Sequence, residues 1–398
     1  MIPKIAEVEN RNSISGADLL LLILFFPYFA PAYISSLPYV NTIISYMKVA
    51  SFLLSAYLFL KERVSLNSFI VLIIIINGSL LISTLAGPMG SVEEWFKNAL
   101  TMFGLAFLVA SYGEENFERI LFISYYILLV EILINVATQF LFPNGIYYSG
   151  LSNTTVSFLL GMENRFLFSY VTYLLIGSIL LSWGGISKWQ YSFMLILINV
   201  SLVKAWSVGA MLCVFLYDLF YVFKRQLKRF VNTLSMTMLW IIPYILVVVI
   251  RVQKYLSTYI QIYLRKSATL GREYLWDRVL IYIRRRPIIG YGIQSYENNL
   301  RAMIFSHPHN HILYILFQGG LLGFLINIIL YCICCAHLER VKGSDEYYYA
   351  LVTLCALMLA LIVDSWTSTS YFYFLYLIAY SIEGENFHCK YEGMRNEI

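Results

Sequence analysis

Three of the five histidines in this 398-residue chain fall within five positions. They are His307, His309 and His311, in the stretch SHPHNHILYILFQGGLLG that runs from 306 to 323. Imidazole is the side chain best suited to moving protons near neutral pH. Its concentration where a long apolar segment begins suggests a reaction centre. One reading is general-base chemistry on a hydroxyl group. A second is a metal site, because alternate side chains of an extended segment share a face and zinc takes such ligands. Pro308 and the lack of nearby Cys or clustered carboxylates weigh against the metal. The third is a polar helix cap with interfacial side chains and no chemistry at all.

A second constellation lies just upstream. GREYLWDRVLIYIRRRP predicts a helix over 272–286, stopped by Pro287. At 100° per residue Trp276, Val279, Leu280 and Ile283 share one face with Arg272, while Arg278 and Arg285 fall roughly opposite. That helix should lie on a bundle or membrane surface with Arg272 aimed inward. An inward arginine needs an anionic partner, and its planar fork suits phosphate oxygens. PIIGYG follows, with Gly290 and Gly292 permitting a tight turn.

The elements that must position these residues are membrane helices. The chain is 60% hydrophobic and 13% charged, where a soluble protein carries about a quarter charged residues. Apolar runs of roughly 20 residues recur along it. In lipid such runs must satisfy their own backbone hydrogen bonds, so they read as helices, and no β-barrel alternation is present. The expected fold is all-α: a polytopic integral membrane helix bundle of about twelve spans, forming one domain over 1–398. The spans are placed near 17–37, 39–60, 67–87, 95–112, 119–142, 166–183, 189–203, 205–223, 232–251, 310–336, 348–363 and 366–382. The pair 189–203 and 205–223 could also form one kinked unit. MIPKIAEVENRNSISGAD is polar and mixed in charge, unlike a signal peptide, so the first apolar run should be retained.

Lys and Arg bias sets the orientation. With the N-terminus inside, fourteen basic residues fall on cytoplasmic segments, including KRQLKR at 224–229. Only Lys48, Lys97, Arg165 and Lys204 fall on short outer loops and helix ends. Both termini are then cytoplasmic, and 252–309 is one large extracytoplasmic loop. From Arg251 to His309 the chain holds ten Lys and Arg against three acids. Such an excess attracts anions: phosphate or pyrophosphate groups, acidic sugars or lipid headgroups.

Within the spans, Glu131, Asn135 and Gln139 repeat at every fourth position of 119–142. Intramembrane polar groups usually face a bundle interior, as helix-to-helix hydrogen bonds or as a polar pathway. Asp364 opens DSWTSTSYFYF at an outer mouth, where it could bind sugar. The six cysteines (213, 332, 334, 335, 355 and 389) lie in apolar segments or the tail and read as small buried hydrophobes rather than a disulfide framework.

The ordered set GREYLWDRVLIYIRRRPIIGYG, a spacer, then HPHNHILYILFQGGLLGFL resembles the signature region of the O-antigen polymerase and ligase superfamily, the Wzy-type and WaaL-type membrane glycosyltransferases. GMENRF at 161–166 and AWSVGAML at 205–212 resemble two weaker motifs of that family. The resemblance implies transfer of a glycan from an undecaprenyl-pyrophosphate donor to a sugar hydroxyl, without metal, nucleotide sugar or other cofactor. It implies His309 and Asn310 as the H-N pair, His309 taking the hydroxyl proton and His307 standing in reserve. It implies Arg272 on the pyrophosphate and Asn164 as the polar position of the G-x-x-N segment. Gln318 stands where the family often has Glu. Val208 stands where a second arginine is usual, and Lys204, one helical turn earlier, could supply that charge. Arg278 and Arg165 are supporting candidates.

The expected partners are the undecaprenyl-pyrophosphate-linked oligosaccharide, membrane lipid, and a chain-length regulator and flippase of the same pathway, with no nucleic acid. A polymerase of repeat units for O-antigen or capsule is the leading expectation, and a ligase moving finished polymer to lipid A core shares its chemistry. A lipid-linked oligosaccharide flippase is the alternative of a different class. Against it, no internal repeat is visible and the chemistry-bearing residues gather in one loop.

Overall fold

The computed structural model describes residues 16–112, 117–149, 155–264, 272–303, 307–364 and 369–382. The fold is an all-α polytopic membrane bundle. Its longer helices are α1 Gly16–Phe29, α2 Pro38–Lys61, α3 Ser68–Ala86, α4 Val92–Tyr112, α5 Phe117–Leu141, α6 Phe166–Ser182, α7 Lys188–Ala205, α8 Val208–Val222, α9 Thr233–Tyr244, α10 Ser257–Leu264, α11 Arg272–Arg285, α12 Tyr296–Met303, α13 His311–Arg340, α14 Asp345–Val363 and α15 Thr369–Ser381. Every expected span corresponds to helix. Seven of the described helical segments are long and apolar enough to cross a membrane, while α1 and α8 are shorter apolar helices. At about 1.5 Å per residue, helices of 14 and 15 residues fall short of a ~30 Å hydrocarbon core.

Burial sorts the bundle into layers. In α6 and α14, 83% of the apolar window is buried, against 22% in α2 and 6% in the segment Thr233–Ile250. A helix apolar on every side and buried on every side is a bundle core. So α6 and α14 form the centre, and α2 and α9 face lipid. Local signals fix the ends. Asn67, Asn232 and Ser344 cap α3, α9 and α14 through their side-chain oxygens, and Ser187 with Gln190 forms a capping box on α7. The α7–α8 pair is two helices, divided at Trp206, whose φ of 52° ends α7 in the left-handed region. Among the described cysteines, Cys213, Cys334, Cys335 and Cys355 are buried as expected, but Cys332 is exposed on α13. Cys389 lies outside the described residues.

Two breaks in the helical pattern shape the site. The first is in α13 at Gly320, whose φ of 59° and ψ of −160° interrupt the helix. In an unbroken helix the Leu321 and Leu322 amides would donate to Phe317 and Gln318. Here they donate to Pro287 O (2.8 Å) and Ile288 O (3.0 Å), while the released Phe317 and Gln318 carbonyls accept from Tyr291 N (2.9 Å) and Gly292 N (2.8 Å). The PIIGYG turn is thus spliced into the helix break, and all four backbone groups keep a partner. A β-carbon on Gly320 would fall 2.3 Å from Ile288 O, so only glycine fits. The same turn reaches the end of α3, where Ile293 N donates to Thr84 Oγ1 at 3.0 Å.

The second is the connection from α5 to α6. A two-stranded antiparallel hairpin, β1 Tyr147–Ser149 and β2 Thr155–Ser157, pairs Tyr147 with Ser157. The chain then dips between helices with Phe158, Leu159 and Leu160 buried. Leu160 N donates to Asn135 Oδ1 (3.0 Å), and Leu159 O accepts from Tyr33 N (3.0 Å). Non-helical backbone within a bundle is tolerated only when it is bonded in this way. The dip ends in a single 3-10 turn, Glu163–Arg165, which delivers Arg165 to the end of the bundle where the histidines sit.

Candidate functional site

His309 is the geometric centre of the site. Its φ is 48°, in the left-handed region that side-chain-bearing residues seldom adopt. Neighbours on both sides hold that conformation. The Trp276 indole N–H of α11 donates to Pro308 O at 3.0 Å. Asn310 caps α13, its Oδ1 accepting from Leu313 N (2.9 Å) and its Nδ2 donating to Ile362 O on α14 (2.9 Å). Asn310 is fully buried, and these two bonds engage both ends of its amide. The Asn310 of the H-N pair thus clamps the backbone next to His309. Trp276 does comparable work that periodicity could register only as apolar burial.

Asp364 follows the last residue of α14 and places Oδ1 3.3 Å from His309 Nδ1. The His309 side chain is 25% exposed and that of Asp364 18%. An imidazole held through Nδ1 by a carboxylate is fixed in the tautomer whose Nε2 accepts a proton, and the carboxylate steadies the imidazolium that results. Asp364, expected to bind sugar, is hydrogen-bonded to His309.

His307 packs against His309 with ring centroids 4.2 Å apart, and its Nδ1 accepts the His309 backbone N–H at 3.4 Å. Burial, then the neighbouring His309, push its pKa down to about 3. Asp364 opposes that shift, and the positive charges of Arg165 and Arg272 add to it. At physiological pH His307 is therefore neutral and a weak proton acceptor. It is a fixed dipole beside His309.

Arg272 opens α11 on its buried side, as expected. Burial lowers its pKa, and the Asp364 carboxylate acts against that shift. The α11 face of Leu275, Trp276 and Val279 packs on α13, while Glu273, also buried, pairs with Lys254 at 3.2 Å. Arg251 forms a two-pronged ion pair with Asp277, which holds that carboxyl below its usual range. Arg165 reaches the cluster from the other side. Asn164 fixes its turn by accepting from Ser207 Oγ at 3.2 Å, directly before the start of α8. Asn164 is thus a brace for Arg165.

Two candidates lie away from the cluster. Lys204 places Nζ 4.7 Å above the Phe140 ring, in a depression shared with Asn199, Val200 and Val203. The guanidinium of Arg278 donates to Ala302 O (2.5 Å) and Arg301 O (3.2 Å), satisfying carbonyls at the end of α12. It is a helix-end cap. Of the basic candidates named from the sequence, Arg165 and Arg272 act electrostatically on His307.

His307, His309 and Asp364 each bring a ligand atom within 4.8 Å of the others, a spacing that one metal ion could bridge. The carboxylate that the sequence lacked near the histidines is therefore supplied by the fold, and His311 is not part of the set. The positive charge of Arg165 and Arg272 acting on this cluster disfavours a cation and favours an anion. The arrangement offers a proton acceptor beside an anion-attracting pair of guanidinium groups.

No curated protein matches the chain. Residues 189–328 match the family model described as O-Antigen ligase, Wzy_C, a span that contains Arg272, the PIIGYG turn, the histidines and the Gly320 break. Members of that family are membrane glycosyltransferase-like enzymes. Through this segment, about a third of its length, the chain is similar to the O-antigen ligase family.

Proposed function

We propose that the protein is a polymerase that joins undecaprenyl-pyrophosphate-linked oligosaccharide repeat units into O-antigen or capsular polysaccharide. The observation that carries this reading is the His309–Asp364 pair at 3.3 Å, with two arginines acting on the same cluster. A sugar hydroxyl is a poor nucleophile, and the pyrophosphate must leave with negative charge. His309 Nε2 takes the hydroxyl proton as the acceptor oxygen bonds to C1 of the donor sugar. The bond from C1 to the phosphate oxygen breaks, and its electron pair leaves on undecaprenyl pyrophosphate. Asp364 steadies the imidazolium, and Arg272 and Arg165 meet the departing charge. One cation aimed at developing charge contributes about 3 kcal/mol. Arg165, in the turn that Asn164 braces against Ser207, supports this reading as a second cation acting on His307.

In this reading the site faces the outer side of the bacterial cytoplasmic membrane and both termini face the cytoplasm, following the positive-inside bias. The partners are the lipid-linked glycan, membrane lipid, and the flippase and chain-length regulator of the same pathway. The test is purified protein supplied with a defined lipid-pyrophosphate repeat unit. Chain growth without nucleotide sugar or added metal is expected, and no growth by folded protein with intact donor overturns the reading. A ligase would instead transfer preformed polymer to lipid A core. A flippase would show itself on gene deletion, through accumulation of inner-leaflet lipid intermediates.

A further inference from the structure

Below the Asn310 cap, α3, α4, α13 and α15 line a cavity of about 70 Å³. Its wall begins at His311, two residues past His309; the His311 ring lies tilted against Phe372 with centroids 4.7 Å apart. Three amides line it: Asn98 from α4, and Gln318 and Asn327 from either side of the Gly320 break. Tyr314 and Tyr373 add aromatic faces and hydroxyls. The amides of Asn98 and Gln318 have no side-chain hydrogen bond among the described residues, and Asn327 uses one N–H on Gly323 O (2.8 Å). Among the described residues no Lys, Arg, Asp or Glu lines the cavity.

This lining selects a ligand. The arginine cluster above is cationic and suits pyrophosphate; the cavity is neutral and does not. An isoprenoid chain would leave two unused amides facing hydrocarbon, which is costly. A pyranose offers alternating donors and acceptors for amides and an apolar ring face for tyrosine and phenylalanine.

We propose that this cavity is the seat of one uncharged sugar ring of the glycan substrate, held by Asn98, Gln318 and Asn327. The inference rests on the glycosyltransferase reading and adds a recognition site to it. The ring seated here fixes the glycan so that the neighbouring sugar lies at His309.

The test uses full-length protein in lipid nanodiscs and saturation-transfer NMR with a panel of uncharged methyl glycosides, N-acetylated and plain. At least one glycoside should bind, and Asn98→Ala and Gln318→Ala should each weaken it about tenfold, the worth of one good hydrogen bond. His309→Ala should still bind it. No binding of any glycoside by folded protein, or equal binding by wild type and both variants, overturns the proposal. Asn327→Ala serves as a third variant, and if it fails to fold, the two unpartnered amides still decide the matter. Glycoside binding does not depend on turnover, so a protein that binds sugar but never extends a chain refutes the polymerase reading and spares the cavity.

Discussion

The molecule holds two polar clusters that obey opposite rules. Inside the bundle, Asn135, Gln139, Tyr170 and Ser201 form a closed circuit. Asn135 Nδ2 donates to Tyr170 OH (3.1 Å), Tyr170 OH meets Ser201 Oγ (2.6 Å), and Ser201 Oγ donates to Gln139 Oε1 (2.8 Å). All four are at most 0% exposed. At the histidines, charge is concentrated rather than cancelled: two arginines act on a neutral imidazole, and one carboxylate holds another imidazole in a left-handed backbone. A circuit that satisfies itself makes structure. A cluster that needs an anion to be complete makes function. Polarity inside a membrane protein is therefore a poor guide to chemistry until its partners are known.

The comparison breaks most decisively at His309. His309→Ala should lower transfer by about 10²- to 10⁴-fold, the usual worth of a general base, with the thermal midpoint in detergent unchanged. Full activity would remove the base assignment. Next come the cations. Arg272→Gln should cost about 10²-fold or more in rate, and Arg165→Gln a similar or smaller factor, while Lys204→Gln should stay within about threefold. Comparing Arg165→Gln with Lys204→Gln in one transfer assay decides which cation serves the site.

Asn135→Ala should do the reverse of His309→Ala. It strands Leu160 N, at a cost of about 1–3 kcal/mol for a buried group left unpaired, while Tyr170 OH keeps Ser201 and the turnover of folded protein stays near wild type. Chemical denaturation in mixed micelles, paired with the rate, reads both effects. The smallest expected effect at neutral pH belongs to His307. Unfolded, its imidazole protonates near 6.5; folded, near about 3. The unfolded chain therefore binds more protons between those values. The contribution to stability is complete above about pH 6.5 and is lost as pH falls towards 3. His307→Gln should flatten that acid limb in melting curves taken from pH 7 to pH 4, and an unchanged slope would show that His307 is not held neutral.

Local patterns were legible and distant pairings were not. Apolar runs located the helices, and 100° periodicity turned Arg272 to the buried side of α11 correctly. The HPHNH cluster marked the site. Asp364 lies 55 positions from His309, and no spacing rule connects them. The same limit applies to Arg165: the Asn164–Ser207 bond that braces its turn joins segments 43 positions apart. Glu131 was expected with Asn135 and Gln139 on one face of α5, and all three are buried there; Glu131 lies against Tyr371 rather than in the amide circuit.

The splice at Gly320 has a mechanical meaning. The segment from Arg251 to His309 would ordinarily count as a flap, free to swing on its two ends. Four backbone bonds tie its middle to both halves of α13. A swing would tear the helix ladder with it, so the segment can move only together with the short stretch that carries the histidines. Its Tyr291 and Gly292 amides should then trade hydrogen for deuterium as slowly as those of a helix interior.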